Sequence, residues 1–407
     1  MEFEKIISKG TGYSVSVSGG RVDSLRINEE LKTVVRVYED GKIGIAGRIG
    51  EGDDQALFEQ AKAKLSQNIA YPCSLTENAR REVDKSKTII PPQDYVKTMK
   101  KLITRLNKQF PDFVFSNKLN MADEELIYEN STSTRDAFKR SRFGGGLIIK
   151  EKSSANIMDA FYGADRAYYD EDAIVNDIGA LLNAYVKKVA MPEGKLPVIV
   201  GCMDVLQHTA QHLIAELYVS GSSLLSGKIG EKIFDERVSI LTDRNAEGEI
   251  APFFDAEGAV NEDDKFYFVK DGVLGGVATY KRSAANFNLP VSGGGYAPFD
   301  EVPQTSFVGL RIARTDSLDN LVKGKAIYVD MTSGGDMTPD GNIGLPVQVA
   351  YLYDNGKLVG RLPEFSIGGN VFDVLGKNFI GVAHNDIFEF SDGDVLVADF
   401  DINNAKV

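Results

Sequence analysis

Apolar and polar residues alternate along the first 50 positions of the chain, with the period of two that half-buried β-strands show. The alternating runs are Tyr13 to Val17, Val22 to Ile27, Val34 to Val37 and Ile43 to Ile45. Turn-forming residues separate these runs at Ser18-Gly19-Gly20, Asn28-Glu29-Glu30 and Asp40-Gly41. The pattern therefore predicts a meander of short antiparallel strands.

Longer segments repeat their apolar residues at the spacing of an amphipathic helix. They run from about Asp54 to Ile69, from Tyr95 to Phe110, from Tyr168 to Val189 and from about Met203 to Val219. Asp53 stands directly before the first segment, in the position of an N-cap. Strands and helices are segregated along the chain rather than alternating as βαβ units, which favours an α+β fold.

Two stretches have the composition of linkers. Residues 71–92 are polar and end in two consecutive prolines, and Pro192-Glu193-Gly194 precedes a Gly-rich region of short apolar runs. We therefore predict a multidomain α+β protein with three parts. These are an N-terminal α+β domain of meander plus helix (1–90), a middle α+β domain (91–194) and a C-terminal β-rich domain (195–407).

Charge and composition narrow the class of protein. The 407 residues carry a formal net charge of −13, which argues against a nucleic-acid partner because phosphate binding relies on clustered Lys and Arg. The N-terminus has no secretory signal pattern, and no apolar run is long enough to cross a membrane. The chain has two cysteines, Cys73 and Cys202, too few for a disulfide scaffold. We expect a cytoplasmic protein without a membrane partner.

Two of the three histidines lie on the predicted helix at 203–219. His208, His212 and Glu216 follow the spacing i, i+4, i+8, so they share one helical face and present two imidazoles and a carboxylate, ligands that zinc accepts. However, Thr209 stands where a zincin has the Glu that acts as general base. The alternative is a solvated helix face with a His212–Glu216 pair. A phosphate-binding loop is not predicted either, because five residues separate Gly221 from Gly227 where the motif requires four.

The region from this helix onward resembles the TldD/PmbA family, also labelled modulators of DNA gyrase. The residues that carry the resemblance are Gly221 to Ile233, Phe254-Asp255-Ala-Glu257-Gly258, Val269 to Leu274, Lys281 to Ala284, Gly334-Gly335-Asp336 and Ile367 to Asn370. The resemblance implies a three-part chain that works as a dimer. In this family the TldD-type subunit is a zinc peptidase with a His-Glu-x-x-x-His helix and a later Cys, and it degrades unstructured peptides. The PmbA-type (TldE) subunit lacks the metal motif.

The resemblance also indicates which of the two types this chain is. Counted back from the turn at Gly221, the family's metal-binding His residues fall at Leu206 and Gln211, and its general base falls at Gln207. The later Cys is missing as well. A leucine cannot ligate zinc and a glutamine cannot take a proton from metal-bound water.

We therefore expect a PmbA-like chain with no catalytic residue, metal or cofactor of its own. Its expected role is to help a zinc-containing TldD-like subunit, or a second copy of itself, to process unstructured peptides. The alternative is a divergent zinc-dependent metallopeptidase that uses His208, His212 and Glu216. Direct regulation of gyrase or DNA is a third hypothesis, which the net charge disfavours.

Overall fold

The computed structural model describes residues 1–72, 74–246, 251–390 and 393–404. In the first half the elements are, in chain order, β1 (Glu2–Ser18), β2 (Arg21–Glu39), β3 (Lys42–Ile49), α1 (Asp54–Ala63), β4 (Ile69–Ala70), β5 (Arg80–Lys85), α2 (Tyr95–Gln109), β6 (Phe113–Asn130), β7 (Arg135–Glu151), β8 (Ala160–Arg166) and α3 (Glu171–Tyr185). A 3₁₀ turn (Lys64–Gln67) follows α1, and another (Pro92–Asp94) precedes α2. Asp53 caps α1, since its carboxylate accepts the backbone N–H of Gln55, so the predicted cap is confirmed.

These strands form one large sheet in the order β4-β3-β2-β1-β6-β7-β5. β8 also pairs with β7, along a different part of that strand from β5. β1 pairs antiparallel with β2 along one side and with β6 along the other. Strands from both sides of the predicted boundary at residue 90 therefore share a sheet. The three domain ranges stay a prediction.

The predicted meander of short strands is wrong in one respect, because β1 and β2 are single long strands. Asn28-Glu29-Glu30, predicted as a turn, is extended and lies within β2, where Glu29 pairs with Thr11 and Glu30 with Gly10. The continuous partner strand keeps these three residues extended despite their turn propensity. The turns at Ser18-Gly19-Gly20 and Asp40-Gly41 are confirmed.

Helices cover one face of the sheet. Val15 and Val17 of β1 lie in a buried cluster with Met99 and Leu102 of α2, and this cluster also contains much of α3. Farther along the same strands, α1 packs on residues of β2 such as Val35. The sheet, α2 and α3 therefore form the core of the first half.

In the second half the elements are β9 (Val198–Gly201), α4 (Cys202–Ala210), α5 (Ala215–Val219), β10 (Ile240–Asp243), β11 (Lys265–Lys270), β12 (Val273–Leu274), α6 (Lys281–Phe287), β13 (Gly295–Tyr296), β14 (Gln304–Thr305), β15 (Leu310–Ile312), α7 (Leu318–Leu321), β16 (Lys325–Thr332), β17 (Asp336–Met337), β18 (Asn342–Asp354), β19 (Lys357–Arg361), β20 (Phe365–Asn370), α8 (Val371–Val374), β21 (Phe379–His384), β22 (Asp394–Ala398) and β23 (Asp401–Asn404). 3₁₀ turns occur at Gln211–Leu213 and Glu262–Asp264.

The strands of the second half form a nine-stranded sheet around β9, β16 and β18, a four-stranded sheet in the order β12-β11-β10-β15, and the β13–β14 pair. Most neighbouring strands are antiparallel, whereas β9 and β16 run parallel. The multidomain α+β class is confirmed. Within the described residues, no helix is both long and apolar enough to span a membrane. Cys202 is buried as a free thiol, and Cys73 lies outside the described residues.

Candidate functional site

The helix α4 and the 3₁₀ turn that follows it carry the positions that the family resemblance assigns to metal chemistry. It begins directly after β9, at Cys202. Leu206 is fully buried in the core beneath the nine-stranded sheet, whereas Gln207 and Gln211 are exposed. The first of the three positions therefore points into the protein, and the other two reach the surface.

The exposed face of this segment lines an open groove of about 600 Å³. Met203, Gln207 and Gln211 lie on one side of the groove, and Phe307 and Leu310 lie on the other. Among the described residues that line the groove, none has an ionisable side chain, since the remainder are Ala210, Ile214, Ser306 and Gly309. The groove offers amide hydrogen-bonding groups between apolar walls.

The single helix predicted for residues 203–219 is broken. α4 ends at Ala210, a 3₁₀ turn covers Gln211–Leu213, and Ile214 is extended with φ −75° and ψ 127° before α5 begins. The extended residue forms an isolated bridge with Ala278. A tertiary contact that the local sequence does not encode thus ends the helix.

Because of this break, the three candidate ligands have different surroundings. His208 lies near Asp204, whose pKa is raised by burial and lowered in part by this histidine. His212 lies against the turn at residues 223–224. Glu216 lies near Tyr280, whose pKa is raised mainly by burial and further by the Glu216 charge.

Two of these side chains have buried atoms without a hydrogen-bond partner within the described part of the chain. They are Nε2 of His208 and Oε2 of Glu216. However, no three His, Cys, Asp or Glu side chains anywhere in the described part of the chain are placed to hold a metal ion. The donor set around α4 does not fit the zinc that the family resemblance implies.

His212 has a clear structural contact. Its Nδ1 accepts the backbone N–H of Leu224 at 3.2 Å, and its carbonyl accepts the hydroxyl of Ser223 at 2.6 Å. The first bond requires an unprotonated Nδ1. Burial lowers the pKa of His212, which favours the same neutral form. His212 therefore ties the Gly221-Ser-Ser-Leu turn to the end of the helical segment.

We predict that His212→Ala lowers the free energy of unfolding by about 1–2 kcal/mol at pH 7.5, because the Leu224 N–H loses its acceptor. The folded-state pKa of His212 lies below its unfolded value, so this stabilisation is present above about pH 6.5 and declines as the pH falls. Urea unfolding at pH 7.5 and 5.5 should show a smaller difference at the lower pH. Gln211→Ala, at the exposed neighbouring position, is the matched control and should have little effect at either pH.

A second group of polar side chains joins the two halves of the molecule. Glu4 and Arg36 of the large sheet are 0% and 2% exposed, and they form an ion pair at 3.2 Å. Glu4 also accepts the hydroxyls of Tyr38 and Tyr128, and Lys281 of the second half lies 3.6 Å from it.

Asp255 and Glu257, which belong to the motif at residues 254–258 that resembles the family, extend this cluster of buried polar side chains. Asp255 accepts the backbone N–H groups of Glu257, Ala259 and Gly295. Glu257 accepts the backbone N–H of Lys281 at 2.8 Å. Burial, together with the charges of Asp255 and Glu4, raises the pKa of Glu257 to about 7.

Asp255 and Glu257 belong to a motif that is recognisable in the sequence, whereas Glu4 and Arg36 lie outside every motif predicted from it. For Arg36 the available signal is its place in an alternating strand between Val35 and Val37, both of which are buried. The neighbours of Glu4 on β1, Phe3 and Lys5, are only partly buried and give no such signal. Charged residues are rarely buried unless they are paired, so such positions point to a distant partner. The partners themselves lie too far away in sequence to be recognised.

The comparisons with known proteins agree with the fold and the motif. The family model of the PmbA/TldA metallopeptidase C-terminal domain matches residues 194–404, and the model of domain 1 of the same family matches residues 6–64. A metalloprotease of Archaeoglobus fulgidus is 25% identical over 92% of this chain and 90% of its own length. A metalloprotease of Methanocaldococcus jannaschii is 24% identical over 91% of this chain and 87% of its own length.

Solved structures show the same fold. TldE from Thermococcus kodakarensis superposes with a TM-score of 0.82 at 19% identity, over 99% of this chain and 97% of its own. A proposed modulator of a DNA gyrase from Thermotoga maritima gives a TM-score of 0.79 at 17% identity, over 98% and 96%. The resemblance noted in the sequence is confirmed, because the C-terminal family model alone covers more than half of the chain. The chain belongs to the PmbA/TldD metallopeptidase family.

Proposed function

We propose that this chain is the PmbA/TldE-type, non-catalytic subunit of a TldD/PmbA-type metallopeptidase complex in the cytoplasm. The supporting observation is the chemistry of α4 and the turn after it, where the family's metal and base positions hold Leu206, Gln207 and Gln211. Leu206 is buried in the core and has no donor atom, and a glutamine has no basic oxygen for proton transfer. Catalysis then belongs to a TldD-like partner subunit that carries the zinc.

The groove beside α4 suggests what the subunit contributes. An extended peptide exposes backbone N–H and C=O groups that the amides of Gln207 and Gln211 can satisfy. Its apolar side chains can lie against Met203 and Phe307, which flank the two amides. We propose that unstructured peptide substrates lie along this groove, for degradation or maturation by the partner.

The test is reconstitution. The purified chain, a TldD-type relative with an intact His-Glu-x-x-x-His motif, and their mixture are each incubated with casein, with and without a chelator. We expect no cleavage by this chain alone, and chelator-sensitive cleavage that rises when the two chains are mixed. Chelator-sensitive cleavage by this chain alone, with one zinc per chain by elemental analysis, would reverse the assignment of roles.

A variant that blocks the groove tests the peptide site. In the reconstituted complex, Gln207→Trp should raise the KM for casein about tenfold, because the indole occupies the space between Met203 and Phe307. Val219→Trp, at a 49% exposed position on α5 outside the groove, is the matched control. An unchanged KM for Gln207→Trp would place peptide binding elsewhere.

We propose no contact with DNA, because the net charge of −13 opposes phosphate binding. A salt-titrated DNA-binding assay checks this proposal, since a mobility shift that weakens with salt would contradict it.

Sedimentation velocity of the chain alone and with the TldD-type relative decides whether the dimer is formed with itself or with that partner.

A further inference from the structure

A cavity of about 400 Å³ lies between the large sheet and the loops of the second half. Apolar side chains form most of its walls, including Ile6 and Val34 from the sheet and Phe254 and Phe299 from the loops. It shares no lining residue with the groove beside α4. Cavities of this size with apolar walls and a few polar groups are typical of small-molecule sites.

Arg36 lines this cavity although it is 98% buried. Its Nη1 donates to the Ala256 carbonyl at 2.6 Å and to Glu4 Oε2 at 3.2 Å. Its Nε–H is buried and has no hydrogen-bond partner within the described residues. A buried N–H without an acceptor is unfavourable, because the hydrogen bond to water is lost and not replaced. The wall of the cavity therefore includes a guanidinium with one N–H that lacks an acceptor within the described residues.

The other charged side chains that line the cavity do not change its character, which is that of a hydrogen-bond donor. Lys32 pairs with Glu30 and lies against the Phe299 ring, with its ammonium 5.8 Å from the ring centroid. Arg244 also lines the cavity, and its guanidinium donates to the backbone carbonyls of Pro252, Phe254 and Gly293. The acid in the lining is Asp255, and it accepts three backbone N–H groups. A matching ligand supplies an acceptor with negative charge and an apolar body.

We propose that this cavity binds a small apolar carboxylate. A carboxylate oxygen accepts the Nε–H of Arg36, and an aromatic or branched body fills the space between Val34, Phe254 and Phe299. Arginine suits this task because its guanidinium is planar, always charged and matched to carboxylate geometry. The carboxylate belongs to a free acid or to the last residue of a peptide, and the peptide source rests on the proposed function.

The primary test is calorimetric titration of the full-length chain, without any partner subunit, with N-acetyl-L-phenylalanine and with its amide. The acid has about 15 non-hydrogen atoms, for which we expect a Kd on the order of 0.5 mM. The amide should bind at least tenfold more weakly, because it lacks the charge. Equal binding of acid and amide, or no binding of the acid up to about 20 times the expected Kd, would overturn the proposal.

A tripeptide that ends in phenylalanine separates the two sources. If the cavity takes peptide ends, the free-acid tripeptide binds at least as tightly as N-acetyl-L-phenylalanine, and the amidated tripeptide does not bind. If the cavity takes free acids, only N-acetyl-L-phenylalanine binds. Both results support the carboxylate site. Because no partner is present, failure of the peptidase reconstitution leaves these titrations unaffected.

Variants locate the binding within the molecule. Ala297→Trp fills the cavity and should abolish binding of the acid, whereas Arg36→Lys keeps a cation for Glu4, removes the Nε–H donor and should weaken binding at least tenfold. Val359→Trp, at a 38% exposed position of β19 outside the cavity, is the control for Ala297→Trp and should bind like the parent chain. Circular dichroism checks that each variant is folded. Undiminished binding by folded Ala297→Trp would refute the site even if Arg36→Lys fails to fold.

Discussion

Replacing Glu4 by alanine should lower the free energy of unfolding by about 3–5 kcal/mol, which is the usual cost of breaking a buried ion pair by removing one partner. The substitution leaves Arg36 without its carboxylate, and it removes the acceptor of the Tyr38 and Tyr128 hydroxyls. Because Lys281 belongs to the second half of the chain, the change also weakens the junction between the halves. Urea unfolding followed by circular dichroism measures the loss.

Two further variants make this result specific. Glu2→Ala removes an exposed acid two positions earlier on β1 and should change stability by no more than about 0.5 kcal/mol. Glu4→Gln keeps an oxygen acceptor but loses the charge, so its effect should lie between those of the other two. Equal stabilities for Glu2→Ala and Glu4→Ala would mean that the cluster does not hold the halves together.

Asp330→Asn should make the protein more stable at neutral pH, and by more as the pH rises. Burial raises the pKa of Asp330 to about 7 in the folded protein. The folded state then binds a proton that the unfolded chain releases near pH 4, so the parent protein loses stability as the pH rises from about 4 to 7. Asparagine does not titrate. At up to about 1.4 kcal/mol per pH unit, with the slope halved where Asp330 is half ionised, the advantage of the variant should grow by about 2 kcal/mol between pH 5 and pH 7.

Urea unfolding at pH 5, 6, 7 and 8 measures this difference. Above about pH 8 the curves of parent and variant should run parallel, because Asp330 is then ionised in both states of the parent. Asp336→Asn, an exposed acid six positions later, is the control and should leave the pH profile unchanged. Parallel curves for Asp330→Asn over the whole range would show that burial does not hold the Asp330 proton.

Much of the fold follows from local pattern in the sequence. The apolar residues of α2 recur at helical spacing and the N-cap of α1 stands directly before its helix, so both features are encoded in neighbouring residues and are predicted from the sequence. The course of β2 through Asn28-Glu29-Glu30 was not predicted, because pairing with β1 overrides the turn propensity of those three residues. The break at Ile214 was missed for a similar reason, since it depends on Ala278, 64 positions later.

Part of the candidate site could be predicted from the sequence, and part of it could not. The chemistry at Leu206, Gln207 and Gln211 could be read from the family register, because residue identity alone decides whether a side chain can ligate zinc or act as a base. That Gln207 and Gln211 line the groove and Leu206 does not could not be predicted, because helix rotation is fixed by the packing of Leu206 into the core. The cavity for which we propose a carboxylate ligand could not be predicted from the sequence, since it is formed by side chains from both halves.

The pairing of β1 with β6 has a consequence for how the chain is made. Glu4 pairs with Asn130, which lies 126 positions later, so the first strand cannot complete its central place in the sheet until β6 has been synthesised. At about 5–20 residues per second, the ribosome needs about 6–25 s to add the intervening residues. During this interval the β1–β2 hairpin exposes a long unpaired edge, which is the kind of surface that aggregates. Chaperone binding to nascent chains should therefore peak before residue 130 emerges.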